Sequence, residues 1–438
     1  MTYREAVDWL YGLQLYGIKL GLENMRRLCA ALEVYLGPPL PERFGSEESA
    51  ARIQGFNRRS SDRDGAPVFI HVAGTNGKGS VCAMLDAICR RSGIRCGLYT
   101  SPHLVTFRER IQLDGAMIPE EDVAAGLTRI HDLVKQWDQP PTFFEVTTAL
   151  ALEWFQEQHA HVVILETGLG GRLDATNVVT PAVSVLTPIG LDHQQVLGTT
   201  LAEIVKEKCG IIKPGVPLVS APQEADAAAV IMATADRLES DCDWVTEPWP
   251  EQVGLPGEHQ RWNAWLAVLA LDAAAASHQF LSVRLNLIVE AIASVKWPGR
   301  FQKVRDGIVL DGAHNPGGAR ALASTWRAEY ATTRATVILG MMRDKDARGV
   351  IAELAPIAAR VFTVTVGNAR SFTGPDLAKL VRETAPNIPV RDFASLPVAL
   401  KAAELEQQPI LITGSLFLVG EALVELGIVD AAGEESDQ

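Results

Sequence analysis

A short glycine-rich segment is the part of this sequence best suited to chemistry, and it reads Gly74-Thr75-Asn76-Gly77-Lys78-Gly79-Ser80. An apolar, β-branched run at 68–73 precedes it, and a stretch with helical periodicity at 78–91 follows. A glycine-rich turn between a strand and a helix lets backbone amides approach an anion, and the helix N-terminus adds a positive dipole end. Lys78 could then supply charge to phosphate and Ser80 a hydroxyl to Mg²⁺. The segment predicts a site for the phosphates of ATP.

The spacing within this segment departs from the common G-x-x-x-x-G-K-[ST] loop, because Gly74 precedes the Gly77-Lys78 pair by only three positions. A kinase or GTPase of the usual type is therefore disfavoured. The alternative is a tight strand-to-helix turn without a ligand. The positions of Lys78 and Ser80, where phosphate and metal require them, favour the ATP site.

The elements around the segment alternate between strand and helix. Short apolar runs predict buried strands at 68–73, 95–99, 162–165, 183–187 and 217–220, with helices between them, including 78–91 and 146–158. Such alternation is typical of a mostly parallel sheet covered on both faces. Helical periodicity also extends over 3–36, whereas the polar stretch 44–66 predicts a loop or insertion to which no function is attached.

A second alternation begins after Trp297-Pro298-Gly299-Arg300-Phe301, where Pro and Gly disfavour any regular element. Strands are predicted at 308–310, 336–339, 361–366 and 410–413, with helices centred near 322, 352, 380 and 400. The predicted fold class is α/β. It comprises a P-loop-type ATPase domain with a mostly parallel sheet at 1–296, a linker at 297–302 and a smaller Rossmann-like domain at 303–438.

The bulk composition excludes several classes of protein. The 438 residues carry a formal net charge of −13, with 47% hydrophobic and 21% charged residues. This is the composition of a globular protein without the basic footprint of a nucleic-acid binder, and no apolar run is long enough to span a membrane. The six cysteines form no C-x-x-C pair, so we interpret them as buried small hydrophobes. We expect a cytoplasmic monomer that binds small molecules and neither nucleic acid nor membranes.

Ordered motifs along nearly the whole chain resemble one family. The glycine-rich segment is similar to the ATP loop of the Mur ligase superfamily, and the chain resembles folylpolyglutamate synthase and dihydrofolate synthase. The matching motifs lie at 16–24, 74–80, 142–145, 166–177, 190–193, 207–215, 298–301, 310–316 and 413–416.

The resemblance implies a site for two Mg²⁺ ions. Ser80 and Glu145 would hold the first ion, for which oxygen donors are suitable, and His193 would bind the second. The residues by themselves allow plainer interpretations. Glu145 follows two phenylalanines and could simply stabilise a helix N-terminus without binding a metal. A single histidine such as His193 is usually an ordinary surface or core residue.

Lys208 lies in Glu207-Lys208-Cys209-Gly210-Ile211, which matches the segment whose lysine is carbamylated by CO₂ in the family. The carbamate would support the metal site indirectly. Carbamylation needs the neutral amine. The alternative interpretation is that Lys208 is one of several lysines on a solvent-exposed helix face and has no special role. The neighbouring motif 166–177 could form either a ligand crevice at a strand end or only a tight turn.

Further site residues follow from the resemblance. Asn263, Arg300 and Asp311 would contact the nucleotide, Arg300 as a bidentate phosphate donor rather than a surface ion pair. His314 and Ser415 would line a glutamate site, and the stretch 17–24 would touch folate through Gly17, Lys19 and Gly21. The motif Asp344-Lys345-Asp346 could instead be only a helix start.

The resemblance implies that the protein is an ATP-dependent ligase of folate biosynthesis and one-carbon metabolism. The carboxylate of dihydropteroate or a folyl-glutamate would attack ATP to give an acyl phosphate, which the amine of L-glutamate would then attack. Lys78, Lys208 and His314 are the catalytic candidates, and we expect domain closure about 297–301. A Mur-type peptidoglycan precursor ligase is the first alternative, although the 73 residues before Gly74 show no α/β pattern. A non-catalytic ATP-binding relative is the second alternative.

Overall fold

The computed structural model describes residues 1–16, 21–38, 66–305 and 307–430. Within the chain, two compact units are distinguished. The first comprises Met1–Pro102, Phe107–Val253 and Arg261–Val295, and the second comprises His103–Thr106, Gly254–Gln260 and Lys296–Gln438. The polar stretch 44–66, apart from Ala66, lies outside the described residues, as do Gly17 and Lys19.

The first unit is built on an eight-stranded sheet with the order β4-β3-β2-β5-β1-β6-β7-β8. All pairs are parallel except those that β3 makes with β2 and β4. The central strands are buried apart from Val68 at the start of β1, in agreement with their apolar runs. The strands are β1 (Val68–Ala73), β2 (Cys96–Tyr99), β3 (Ile111–Leu113), β4 (Ala116–Met117), β5 (Val162–Glu166), β6 (Val183–Leu186), β7 (Leu218–Ser220) and β8 (Cys242–Trp244).

Helices connect these strands and pack on the sheet through two hydrophobic clusters. The predicted helix after the glycine-rich segment is confirmed with the same bounds, and its side chains are buried from Gly79 to Cys89. The helices of this unit are α1 (Tyr3–Gly12), α2 (Glu23–Ala31), α3 (Lys78–Arg91), α4 (Glu120–Val134), α5 (Phe143–Glu157), α6 (Gln194–Leu197), α7 (Leu201–Lys208), α8 (Ala225–Arg237), α9 (Glu258–Ala275, whose first three residues belong to the second unit) and α10 (Leu285–Ser294).

The second unit has a six-stranded sheet with the order β13-β12-β11-β14-β10-β9, parallel except for β9. Val309 and Leu411 pack into one hydrophobic cluster, whereas Leu310 and Ile412 pack into the other. This alternation shows a sheet that is buried on both faces, as expected for parallel strands. The strands are β9 (Gln302–Arg305), β10 (Ile308–Asp311), β11 (Ala335–Leu339), β12 (Ala358–Val364), β13 (Val390–Phe393) and β14 (Ile410–Thr413).

Five helices cover this second sheet, and four of them have the centres predicted from the sequence. They are α11 (Pro316–Tyr330), α12 (Ala347–Leu354), α13 (Gly374–Thr384), α14 (Leu396–Glu404) and α15 (Leu416–Glu425). The α/β class with two mostly parallel sheets is thereby confirmed. Five cysteines are buried and Cys242 is half-buried, in agreement with their interpretation as small hydrophobes. Among the described residues no helix is both long and apolar enough to cross a membrane.

Candidate active site

The glycine-rich segment is pressed tightly against its surroundings. Gly74 and Gly77 have φ angles of 147° and 93°, a region that side chains other than glycine rarely adopt. A Cβ at Gly74 would lie 1.9 Å from Thr187 Oγ1, and one at Gly77 would lie 2.8 Å from Asn263 Oδ1. Both positions therefore require glycine, and the side chain of Asn263 lies beside the loop.

The amides of this loop have two different uses. Thr75 and Asn76 donate their N–H groups to the carbonyl of Pro188, at 3.0 and 3.2 Å. Helix α3 then begins at Lys78, and its N-cap residue Gly77 supplies no side-chain cap. Since the first amides of a helix have no intrahelical partner, those of Lys78, Gly79 and Ser80 form a site suited to an anion.

Two lysines converge on one carbonyl of the loop. Lys208 Nζ donates to Gly74 O at 2.8 Å, and Lys78 Nζ lies 3.3 Å from Gly74 O and from Thr75 O. Lys78 also lies 4.0 Å from the carboxylate of Glu166. Lys208 is only 5% exposed, so the alternative of a solvated helix face is wrong for this lysine. The structure joins two distant motifs at Gly74.

The burial of Lys208 follows from two backbones that lie in contact. A Cβ at Gly171 would lie 2.7 Å from Lys208 O, and one at Gly210 would lie 2.3 Å from the Cα of Arg172. The side-chain amide of Asn177 donates to the carbonyls of Arg172 and Gly210, both at 3.0 Å. The motifs at 166–177 and 207–215 thus form one structural piece that places Lys208 against the phosphate loop.

Within this piece, the carboxylate of Asp174 organises a turn. It accepts the amides of Gly168 and Leu169, both at 2.9 Å, and both the amide and the hydroxyl of Thr176. Burial raises the pKa of the Asp174 carboxyl. The Thr176 hydroxyl in turn lies 2.8 Å from Nε2 of His71. Much of the polar character of this motif therefore serves the tight turn.

Glu145 performs the helix-capping role that the sequence allowed. It is the third residue of α5, where its carboxylate accepts the amide of Thr142 at 2.7 Å, while Thr142 Oγ1 accepts the amide of Glu145 at 3.3 Å. Both Glu145 and Ser80 are buried. The structure confirms the capping interaction, and the metal role of both residues stays a prediction.

His193 lies in a segment that is tied to the loop through Thr75. The Thr75 hydroxyl donates to Gly190 O and accepts from Gly190 N, both at 3.1 Å. His193 has a positive φ of 51° and a side chain that is 39% exposed, with Nε2 3.9 Å from Asp192. No group of three or more His, Cys, Asp and Glu residues that could hold a metal occurs in the described part of the chain.

In the second unit, the candidate residues gather where strand β10 ends. Asp311 accepts the amides of Phe301 at 2.8 Å and Ala313 at 2.9 Å, and burial raises the pKa of its carboxyl although Arg300 lies near. Nδ1 of His314 donates to Gly312 O at 2.8 Å. Arg300 Nη1 donates to the carbonyl of Gly299 at 3.1 Å. The positions of these side chains are thus fixed by nearby backbone.

Ser415 belongs to the same edge of that sheet. Strand β14 lies parallel to β10, and the Gly414 amide donates to Ala313 O at 3.1 Å. The Ser415 hydroxyl accepts the amide of Phe417 at 3.1 Å and so caps α15. His314 and Ser415 therefore lie at neighbouring strand ends, as expected for residues that share a ligand site.

Comparison with known proteins gives one consistent result. The Mur ligase middle domain matches residues 72–234 and the Mur ligase glutamate ligase domain matches residues 299–416. The dihydrofolate synthase/folylpolyglutamate synthase of Bacillus subtilis is 32% identical over 451 residues, which cover 96% of this chain and 98% of that protein.

Two solved structures show the same likeness in three dimensions. Escherichia coli FolC in complex with DHPP and ADP has a TM-score of 0.80 at 28% identity, and it covers 98% of both chains. The Mycobacterium tuberculosis folylpolyglutamate synthase complexed with ADP and AMPPCP has a TM-score of 0.76 at 31% identity, covering 86% of this chain and 95% of that one.

The chain belongs to the folylpolyglutamate synthase and dihydrofolate synthase family. It is accordingly an ATP-dependent amino-acid ligase of the Mur ligase superfamily. Membership rests on a match over nearly the whole chain, and it explains why loop, turn and strand-end motifs occur together.

The remaining candidates are the residues expected to touch folate and the motif 344–346. Gly17 and Lys19 lie outside the described residues, while Gly21 has a φ of 152° and, among the described residues, no atom within 4 Å of an added Cβ. Asp346 caps α12 by accepting the amide of Gly349 at 2.9 Å, so the helix-start interpretation of 344–346 is confirmed for this residue. Sequence reasoning missed Pro188, which holds the loop through its carbonyl and gives no side-chain signal.

Proposed function

We propose that this ligase joins L-glutamate both to dihydropteroate and to folyl-glutamates. A substrate carboxylate oxygen bonds to the γ-phosphorus of ATP while the bond to the ADP oxygen breaks. The glutamate amine then attacks the acyl carbon, inorganic phosphate leaves, and the amine loses a proton. The observation that carries the proposal is the convergence of Lys78, Lys208 and the uncapped start of α3 on one loop.

The first step brings one anion to another, so positive groups must offset their repulsion. The open amides of α3 and the ammonium of Lys78 are suited to the negative charge of the phosphates, since charge-assisted hydrogen bonds to fixed donors cost no reorganisation during reaction. Glu166, 4.0 Å from Lys78, keeps that side chain near the loop. Asn263 lies beside Gly77, where it would contact the nucleotide.

A Mg²⁺ site at this loop would be completed by the phosphates of ATP. Mg²⁺ in nucleotide sites is usually held by one or two protein groups together with substrate phosphates, so a dense cluster of side chains is not required. The Ser80 hydroxyl in the first turn of α3 and the buried Glu145 carboxylate would hold one ion, and His193 would hold the second. Bound Mg²⁺ would offset phosphate charge and orient the γ-phosphate.

The remaining roles belong to Lys208 and to the second unit. Carbamylation of Lys208 would need the neutral amine. The carbamate would present oxygen acceptors beside Gly74. His314 and Ser415, at neighbouring strand ends, would hold the glutamate, and the nucleotide contacts of Arg300 and Asp311 remain predictions.

The direct test is release of ADP by the purified chain with saturating Mg·ATP and L-glutamate, offering dihydropteroate and tetrahydrofolyl-glutamate separately. We expect turnover with each acceptor and background release when glutamate is omitted. Lys78→Met serves as the inactive control. Turnover with one acceptor would restrict the proposal to that substrate, and turnover with neither would refute it.

A further inference from the structure

Gln223, at the start of the connection after β7, makes contacts that none of the candidate roles explains. Its Oε1 accepts the amide of Ile189 at 2.9 Å, and its Nε2 donates to the carbonyl of Thr187 at 3.1 Å. Nε2 also lies 3.4 Å from Ser220 Oγ. The carboxamide therefore binds the chain immediately before and immediately after Pro188.

These two contacts compensate for a property of proline. Pro188 has no N–H and cannot fix its own position through an amide hydrogen bond. Its carbonyl nevertheless accepts the amides of both Thr75 and Asn76. Because Gln223 binds Thr187 and Ile189, it fixes the orientation of the carbonyl between them.

The phosphate loop depends on that segment at further points. Thr75 exchanges two hydrogen bonds with Gly190, and the amide of Thr187 donates to Ala73 O at 2.8 Å. Gly74 packs so closely on Thr187 that a Cβ would lie 1.9 Å from its hydroxyl oxygen. A shift of a few tenths of an ångström in the segment would thus move the loop.

We propose that Gln223 is a positioning residue for the phosphate loop, acting on ATP through the segment 187–190. The inference rests on the proposed function, because it assumes that ATP binds at this loop. The same segment is followed three residues later by His193, the residue that would hold the second Mg²⁺. Loss of the Gln223 side chain should consequently weaken the binding of both ATP and Mg²⁺ and leave glutamate binding unchanged.

The test compares Gln223→Leu, which removes both hydrogen bonds, with the matched control Glu224→Gln. Glu224 is the exposed next residue and its side chain caps nothing. Calorimetric titration of each folded protein with Mg·ATP should give a Kd about tenfold higher for Gln223→Leu, as expected for the loss of two net hydrogen bonds. The KM for ATP and the Mg²⁺ concentration for half-maximal rate should rise, with the KM for glutamate unchanged.

A second variant protects the test against misfolding. Gln223→Met keeps the length of the side chain and adds no charge but makes neither hydrogen bond, so a Kd as high as that of Gln223→Leu supports the inference. An unchanged Kd for ATP in a folded Gln223→Leu protein would overturn the inference alone, and so would equal rises in the KM for ATP and for glutamate. Failure of the unaltered chain to bind ATP would overturn the proposed function and the inference with it.

Discussion

The two sheets place helices at comparable strand ends and treat their N-termini differently. In the first unit, α3 follows β1 and its N-cap residue Gly77 offers no side-chain acceptor. In the second unit, α11 follows β10 and is capped by Asn315, which accepts the amide of Gly318 at 2.8 Å. Because a cap occupies the amides that an anion would use, the first helix is suited to phosphate, whereas the capping of the second stabilises its fold.

The charged side chains of the two regions differ in the same way. Lys78 and Lys208 both reach Gly74 O, and thus bring two side-chain nitrogens to the loop. In the second unit, both carboxylate oxygens of Asp311 accept backbone amides, and the Ser415 hydroxyl caps a helix. The comparison indicates that one strand end is suited to an anion, whereas the polar side chains of the other hold its backbone in place.

The largest effect is expected for Lys208→Met. This change keeps the volume of the side chain and removes the nitrogen that reaches Gly74. We expect kcat/KM for ATP to fall about 10²- to 10³-fold, the typical loss for one preorganised electrostatic group. The control is Lys206→Met, an exposed position on the same helix. Equal kinetics for the two variants, measured by ADP release, would show that the buried lysine contributes no more than a surface charge.

Gly77→Ala should act next most strongly, through the geometry of the loop. An alanine would be strained at a φ of 93° and its Cβ would crowd Asn263. Misplacement of the amides should raise the Kd of Mg·ATP about 10- to 100-fold. Gly215→Ala is the matched control, because Gly215 also has a positive φ, of 69°, and no atom of the described residues lies within 4 Å of the added Cβ. If both alanines changed ATP affinity alike, close packing at Gly77 would not be the cause.

Asn315→Ala tests the capped helix of the second unit. Loss of the cap should destabilise the protein by about 1 kcal/mol and lower Tm by a few degrees, while the Kd for ATP stays the same. Asn315→Asp retains an acceptor at the cap and should resemble the unaltered chain. Loss of ATP affinity in a folded Asn315→Ala protein would mean that the capped end also serves the nucleotide.

The smallest effect on catalysis is expected at His71, a buried residue of strand β1 in the first sheet. Burial lowers the pKa of this histidine to about 3, so the folded chain keeps it neutral while the unfolded chain protonates it near its usual value of about 6.5. The contribution of His71 to the free energy of unfolding should therefore be fully present above pH 6.5 and should decline as the pH falls towards 3. His71→Gln can keep an N–H for Thr176 and does not titrate. The free energy of unfolding, measured with urea between pH 7 and 4.5, should fall less steeply with pH for the variant than for the unaltered chain. An equally steep fall for both proteins would contradict the account.

The sequence was sufficient to predict the strands and helices that have strong apolar patterns. The buried strands around β1 and the helix α3 were predicted to within one or two residues, since their runs are continuous and bounded by glycine or proline. Two strands at the edges of the second sheet were missed. Gln302–Arg305 and Val390–Phe393 contain charged residues and are half exposed, and they become strands only by pairing with neighbours.

The candidate site was predictable where it is local and unpredictable where it depends on tertiary contacts. Lys78 and Ser80 lie within one strand–turn–helix, so their spacing was informative. Lys208 looks like any helix lysine until Gly171 packs on its carbonyl and Gly210 packs on the backbone of Arg172. The amides of Thr75 and Asn76 donate to the carbonyl of Pro188, which no motif signals.

A crystal structure of the chain with Mg²⁺ and a non-hydrolysable ATP analogue would test the central claim most directly. Phosphate oxygens should lie within hydrogen-bonding distance of the amides of Lys78, Gly79 and Ser80 and of Lys78 Nζ. Phosphates bound instead at the helix start capped by Asn315, with the start of α3 facing solvent, would contradict the account.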